Sequence, residues 1–223
     1  MNTRDFSNFF KDPKTYPDDL VAVGGDLKAD RLIYAYTHGI FPWSERPIRW
    51  YSLDPRAIFD LQNIHFSRST LKKVKKNIYK ITANQAFPQV MRGCSFRQNE
   101  TTWISKGFIE AYTQLHDLGY AHSFEAWNSE GNLVGGVYGV AIGKFFAGES
   151  MFSFESDAGK ISLYHLFSAL RESDFELFDS QQINRVTWEL GAYEISKLDY
   201  LNRLESALDQ FQKWDPKKLQ SQI

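Results

Sequence analysis

Over residues 28–38 apolar side chains return at helical spacing, with Leu32, Ile33, Ala35 and Tyr36 on one side and Gly39 as a stop signal. That pattern predicts a helix. Around it the chain is broken by turn sequences: Asp12-Pro13, Tyr16-Pro17-Asp18-Asp19, Gly24-Gly25-Asp26, Phe41-Pro42-Trp43, Arg46-Pro47 and Asp54-Pro55. Residues 1–61 therefore read as a small, loop-rich N-terminal domain, followed by a larger domain over 62–223. In the second part, Ser67 or Ser69 can cap a basic helix ending near Asn77, and residues 78–82 have strand character. Residues 106–118 predict a helix that buries Phe108, Ile109, Tyr112 and Leu115. Residues 121–128 and 132–142 read as strands joined by a hairpin at Ser129-Glu130-Gly131, followed by a strand over 144–152 and an apolar helix over 158–172. Short strands over 175–179 and 186–190 and a last amphipathic helix over 197–214 complete the expectation. The order implies an α+β fold, a central, mostly antiparallel sheet flanked by helices.

Composition narrows the picture. With 223 residues, 43% of them hydrophobic and 16% aromatic, the chain can bury a sizeable core. Residues 1–14 are polar and carry Arg4, Asp5, Lys11 and Asp12, unlike a secretory signal. The longest apolar run, residues 133–142, holds three glycines and is too short to span a bilayer. A cytoplasmic protein with no membrane partner is expected. The single cysteine, Cys94, excludes an internal disulfide and a multi-cysteine zinc site, and reads as a packing residue.

Charge changes the picture more. The formal net charge is −1, yet between Asp60 and Glu100 there is no acidic residue. That interval carries Arg68, Lys72, Lys73, Lys75, Lys76, Lys80, Arg92 and Arg97. The molecule is electrically bipolar, and the basic stretch fits either a solvated helix face or a polyanion such as nucleic acid.

No Gly-x-Ser-x-Gly elbow and no His-Glu-x-x-His motif occurs, and Cys94 has no histidine near it in sequence. The histidines at 38, 65, 116, 122 and 165 show no metal-ligand spacing. Two stretches combine carboxylates with apolar strands. In residues 145–153, alternation places Phe146, Gly148, Ser150 and Phe152 on one face and Glu149 on the other. Glu149 is then a functional acid or a residue at an exposed strand edge. In residues 175–181, an apolar strand ends in Asp179 and Gln181, which alternation puts on one face, as a site pair or as ordinary turn residues.

These residues carry a family resemblance. Gly24-Gly25-Asp26-Leu27, Gly39-Ile40-Phe41-Pro42-Trp43, Trp50-Tyr51-Ser52-Leu53-Asp54-Pro55-Arg56, Ser67-Arg68-Ser69, Thr102-Trp103-Ile104, Ala121-His122-Ser123, Gly148-Glu149-Ser150-Met151-Phe152-Ser153 and Asp179-Ser180-Gln181 follow one another. In that order they resemble the leucyl/phenylalanyl-tRNA protein transferases over nearly the whole chain. The resemblance implies a small N-terminal domain and an acetyltransferase-like (GNAT-like) C-terminal domain. It implies transfer of leucine, phenylalanine or methionine from aminoacyl-tRNA to proteins beginning with Arg or Lys, an N-end-rule mark for degradation, with no cofactor and no metal.

Residue by residue, it associates Tyr36, Trp43 and Trp103 with the terminal adenosine, and Val137, Phe146, Gly148, Leu163, Leu166, Leu170 and Phe178 with the pocket for the transferred side chain. It makes Glu149, Asp179 and Gln181 the polar active-site residues and invites a relay in which Asp179 polarises Gln181. Because a neutral amide is a very poor base, Gln181 is expected instead to orient the amine, its carbonyl accepting from the amine and its NH₂ donating to Asp179. Arg68, Lys72, Lys75 and Lys76 match the tRNA-binding cluster. Tyr36 and Trp43, read as exposed, would stack a base. Ser180, Val186, Gly159 and Thr101 depart from residues common in the family, which bears on substrate preference more than on reaction type. The missing nucleophile is consistent, because an aminoacyl ester is already activated. A coenzyme-A-dependent acyltransferase of the same fold lacks its phosphate-cradling loop in residues 154–160, and a noncatalytic RNA-binding protein leaves Glu149, Asp179 and Gln181 without purpose.

Overall fold

The computed structural model describes residues 5–96, 102–209 and 213–216. Arg97 of the basic interval and Thr101 lie outside the described residues. The first elements are β1 (Leu20–Val23), α1 (Ala29–Thr37), β2 (Phe41–Glu45) and β3 (Ile48–Tyr51). The three strands form a sheet of order β1-β3-β2. α1 forms where its spacing predicts, and Leu32, Ile33, Ala35 and Tyr36 are its buried side. The strands were hidden by turn residues, and none exceeds five residues. Pro42 lies inside β2, which is an edge strand, where a missing N–H is tolerated.

The rest of the chain runs β4 (Arg56–Phe59), α2 (Arg68–Lys75), β5 (Lys80–Ala83), α3 (Phe87–Ser95), α4 (Lys106–Asp117), β6 (Ala121–Trp127), β7 (Leu133–Ile142), β8 (Phe145–Ser153), α5 (Ala158–Glu172), β9 (Leu177–Gln181), α6 (Arg185–Glu189), β10 (Tyr193–Ile195) and α7 (Lys197–Leu208). Its strands form one sheet of order β10-β4-β9-β8-β7-β6-β5. Every neighbouring pair is antiparallel except β8 with β9. The α+β architecture read from the sequence is the one observed. β4 precedes residue 61 and still belongs to this larger sheet.

Caps explain several boundaries. Ser67, Ser105 and Ser196 accept backbone N–H bonds at the starts of α2, α4 and α7. Asn184 changes the outcome at residues 186–190, which form a helix and not the expected strand. Its side chain accepts from the Val186 and Thr187 N–H groups while Thr187 Oγ1 accepts from the Asn184 N–H, a reciprocal capping box. α7 ends at Leu208, short of the expected 214. Trp214 instead packs edge-on against Phe146 and Phe175, and its indole donates to Ser173 Oγ. α3 was not foreseen, although Phe87, Val90, Met91 and Cys94 share its buried face. Pro88 and Gly93 masked that period, and Gly93 is required because the Phe152 ring sits where a side chain would begin.

Apolar packing divides at the large sheet. One cluster joins α1, α3 and α4 to Phe145, Ala147 and Phe152, and contains Trp50 and Phe10 of the N-terminal part. The other lies under α5 and holds Phe59, Val137, Phe146, Leu166, Leu170 and Phe178. Among the described residues, no helix is long and apolar enough to cross a membrane.

Candidate active site

β8 and β9 run in parallel register only from Phe145 opposite Leu177 to Ala147 opposite Asp179. Beyond that they part. Gln181 pairs with Ala57 of β4, while β8 continues along β7. At this parting lies a cavity of about 450 Å³, lined by residues 148–151, Val137, Phe59, Leu163, Phe178, Ser180, Gln181 and the start of α6. The parallel pair thus supplies both walls of the opening from strand ends.

Within β8, Ser150 opposes Tyr138 and Gly148 opposes Gly139, so Glu149 is an extra residue without a partner. Such a bulge re-aims one side chain and reverses the alternation after it. Phe146 packs under α5, whereas Phe152 belongs to the cluster on the other side. The expectation that Phe146, Gly148, Ser150 and Phe152 share a face is therefore wrong: one inserted residue separates the two phenylalanines. Gly148 itself makes room for the Phe178 ring, which would lie 2.7 Å from an added Cβ.

The bulge sets the Glu149 carboxyl among phenols. Its Oε1 accepts from Tyr36 OH at 2.7 Å and from Gln181 Nε2 at 3.4 Å. Tyr36 OH is also hydrogen-bonded to Tyr112 OH. A phenol has one proton, so with Tyr36 donating to Glu149, Tyr112 donates to Tyr36. Both tyrosines are buried. Burial pushes the Glu149 carboxyl up to about 8, against the pull of the Tyr36 hydrogen bond. The same burial, with Glu149 nearby, holds Tyr36, Tyr112 and Tyr138 well above the ordinary phenol range. Tyr36 is thus not the exposed stacking ring expected of it: its ring is core and its hydroxyl holds the acid. Trp43 and Trp103 are half-buried, edge-on to Tyr51 and Phe108 respectively.

Asp179 is fully buried and saturated. Arg56 donates from Nε to Oδ1 at 2.9 Å and from Nη2 to Oδ2 at 2.7 Å, a two-pronged ion pair. Tyr200 OH donates to Oδ2 at 3.0 Å and the Gln181 backbone N–H to Oδ1 at 2.9 Å. Burial opposes the charge on Arg56, but Asp179 more than offsets it and the pKa is raised. Arg56 also donates to the Gly39 carbonyl at 3.1 Å, fastening the turn after α1 to β4. Gln181 takes a left-handed backbone, φ 61°, which its N–H bond to Asp179 supports. Asp179 and Gln181 are therefore neighbours, as alternation suggests, but the expected amide donation to Asp179 is absent. The side-chain NH₂ goes to Glu149 instead.

Of the residues associated with the side-chain pocket, Val137, Gly148, Leu163 and Phe178 line the cavity. Phe146, Leu166 and Leu170 pack behind that lining. Ser180 and Val186, two of the departures from family custom, line it as well. Arg68, Lys72, Lys75 and Lys76 stand apart, exposed on or just after α2, at steps that share one face. Lys73 points the other way, to Asp157 at 2.6 Å. Sequence reasoning missed Arg56, Tyr112 and Tyr200, although Arg56 closes the quoted segment 50–56. Among the described residues, no group of three or more His, Cys, Asp or Glu side chains gathers to hold a metal.

The comparisons agree with one another. Residues 58–205 match the family model for leucyl/phenylalanyl-tRNA protein transferase, and residues 25–54 match that for its N-terminal domain. The chain is 47% identical over 198 residues to the leucyl/phenylalanyl-tRNA protein transferase of Maridesulfovibrio salexigens, covering 86% of this chain and 82% of that one. It is 48% identical over 190 residues to that of Shigella dysenteriae serotype 1, covering 84% and 81%. A solved structure, L-PGS from Bacillus licheniformis, superposes with a TM-score of 0.43 at 16% identity over 74% of this chain and 54% of that one, too slight a likeness to say more. Two family models in tandem and relatives at this identity leave one conclusion: the chain belongs to the leucyl/phenylalanyl-tRNA protein transferase family.

Proposed function

We propose that this chain transfers leucine, phenylalanine or methionine from the ester of aminoacyl-tRNA to the α-amine of proteins beginning with Arg or Lys. In the cytoplasm this would mark them for degradation by the N-end rule. The observation that carries it is a cavity that combines an apolar wall, with Phe59, Val137, Met151, Leu163 and Phe178, and a polar end that holds the hydrogen-bonded Glu149 and Gln181 pair. The apolar wall suits an uncharged side chain, since a charged one would lose its hydration there without compensation. The polar end suits an amine. Of the three hydroxyls in the lining, Ser180 donates to the Ala57 carbonyl, Thr187 is engaged in the Asn184 cap, and among the described residues Ser150 has no histidine or carboxylate hydrogen-bonded to it, so none is an activated nucleophile. An aminoacyl ester does not need one: positioning the amine against the carbonyl supplies most of the rate.

The deciding experiment incubates the protein with tRNA charged with labelled leucine and with peptides beginning with Arg, Lys or Glu. Label on the first two only supports the reading. Transfer from an acyl-coenzyme A instead, or RNA binding with no transfer, overturns it.

Two further outcomes follow from the same reading. Reducing the exposed cluster by Lys72→Ala and Lys75→Ala should raise the KM for charged tRNA and flatten its dependence on salt, each lost phosphate contact lowering the log–log slope by ~0.7–0.9. A salt slope equal to the parent's would remove α2 from the interface. Enlarging Leu163 to Phe in the cavity wall should cut phenylalanine transfer about tenfold or more relative to leucine, the scale at which apolar pockets discriminate by size. A folded variant with an unchanged donor ratio would place the side-chain pocket elsewhere.

A further inference from the structure

We propose that Glu149 is the base of this reaction, its Oε2 taking a proton from the acceptor's α-ammonium while Tyr36 and Gln181 hold Oε1. The proposal rests on the transfer reading above and adds to it the destination of the proton.

Elimination within the cavity leads there. Among the described residues, Glu149 is the one ionisable side chain in its lining. Asp179 has both oxygens engaged by Arg56, Tyr200 and the Gln181 N–H, so protonating it would break a buried ion pair. The Gln181 amide is a very poor base at any pH near neutrality. Glu149 differs in geometry from both. The bulge turns it toward the opening between β8 and β9, and both of its hydrogen bonds fall on Oε1. Among the described residues, Oε2 accepts none, and it remains for a substrate.

The surroundings suit the task. Facing Glu149 are Tyr36 from α1, Tyr112 from α4, Tyr138 from β7, Asp179 from β9 and Arg56 from β4. The Asp179 charge raises the acid's pKa and Arg56 lowers it, burial being the larger effect. The outcome of about 8 lies beside the ~8 of an α-ammonium, so a proton passes between them with little free-energy change.

The step balances. The ammonium gives one proton to Glu149, and the amine lone pair forms a C–N bond to the ester carbonyl carbon. As the C–O bond to the ribose breaks, the second N–H proton goes to the departing oxygen. Glu149 then returns its proton to solvent, so one ester and one ammonium become one amide, one ribose hydroxyl and one proton.

The test is single-turnover transfer from pre-bound leucyl-tRNA to a saturating peptide beginning with Arg, across pH, for the parent, Glu149→Gln and Tyr36→Phe. Glu149→Gln is near-isosteric, and circular dichroism checks its fold. Its rate constant should fall about a hundredfold or more at every pH, with the KM for the peptide little changed. In Tyr36→Phe the acid loses the hydrogen bond that favours its ionised form, so the inflection of the rate profile should move to higher pH. A Glu149→Gln loss confined to KM, with the rate constant intact, would overturn the proposal and leave Glu149 as a selector of cationic acceptors. An inflection unmoved in Tyr36→Phe would also overturn it. Absence of transfer by the parent enzyme would instead strike the transfer reading itself.

Discussion

Arg56→Ala should cost about 3–5 kcal/mol of stability, because it strands the Asp179 carboxylate in the core without its ion-pair partner. The loss has a definite pH sign. An uncompensated buried carboxylate binds its proton more tightly when folded than unfolded, so the variant should be least impaired in acid and increasingly impaired as pH rises. Urea unfolding at several pH values reads this directly. Removing both charges with apolar residues, Arg56→Met with Asp179→Leu, should recover much of the stability, as buried pairs often tolerate such replacement. It should not recover transfer, since the Gln181 N–H would have lost its acceptor. An Arg56→Ala variant within about 1 kcal/mol of the parent, well below the cost of stranding a buried charge, would mean that the pair is not the anchor its geometry indicates.

Gln181→Ala should lower the single-turnover rate from pre-bound charged tRNA about a hundredfold, the scale of losing orientation alone, while tRNA binding stays as it was. Its NH₂ is committed to Glu149, which leaves the amide oxygen to accept a hydrogen bond from the amine. Gln181→Glu should not rescue the rate. Two carboxyls at this distance repel, one of them stays protonated, and the orienting donor to Glu149 is gone. If Gln181→Glu matches or exceeds the parent, with a profile that follows a new carboxyl titration, residue 181 takes part in proton transfer and does not merely orient.

Long segments with one clear period were legible. α1, α4 and α5, and the strands β6, β7 and β8, form within a residue or two of where the apolar pattern ends. What escaped were features set by something other than period. α6 follows from a reciprocal cap at Asn184, which outweighs the strand character of an apolar five-residue run. The β8 bulge has no local signature: residues 145–153 alternate acceptably in either phase, and only pairing with β7 decides that Glu149 is the extra one. For the site, Glu149, Asp179 and Gln181 stood out as polar residues in apolar strands, and they do lie side by side. Arg56 offered the same signal with the opposite sign, a cation opening the strand Ala57-Ile58-Phe59. Matching a lone cation to a lone carboxylate across more than a hundred residues requires the sheet order, which sequence alone did not supply.

Tyr200 sits on α7, and it gives Asp179 one of its hydrogen bonds while its ring lies 4.3 Å from the Arg56 guanidinium. Of the other partners of this cluster, Gly39 and Arg56 are made much earlier, and Asp179 21 residues before Tyr200. A nascent chain that has emerged only as far as β9 holds the acid, the amide and the cation, but it lacks the phenol that completes their cage. The cage around Asp179 therefore closes only once α7 docks, 21 residues of chain after Asp179 itself has been made.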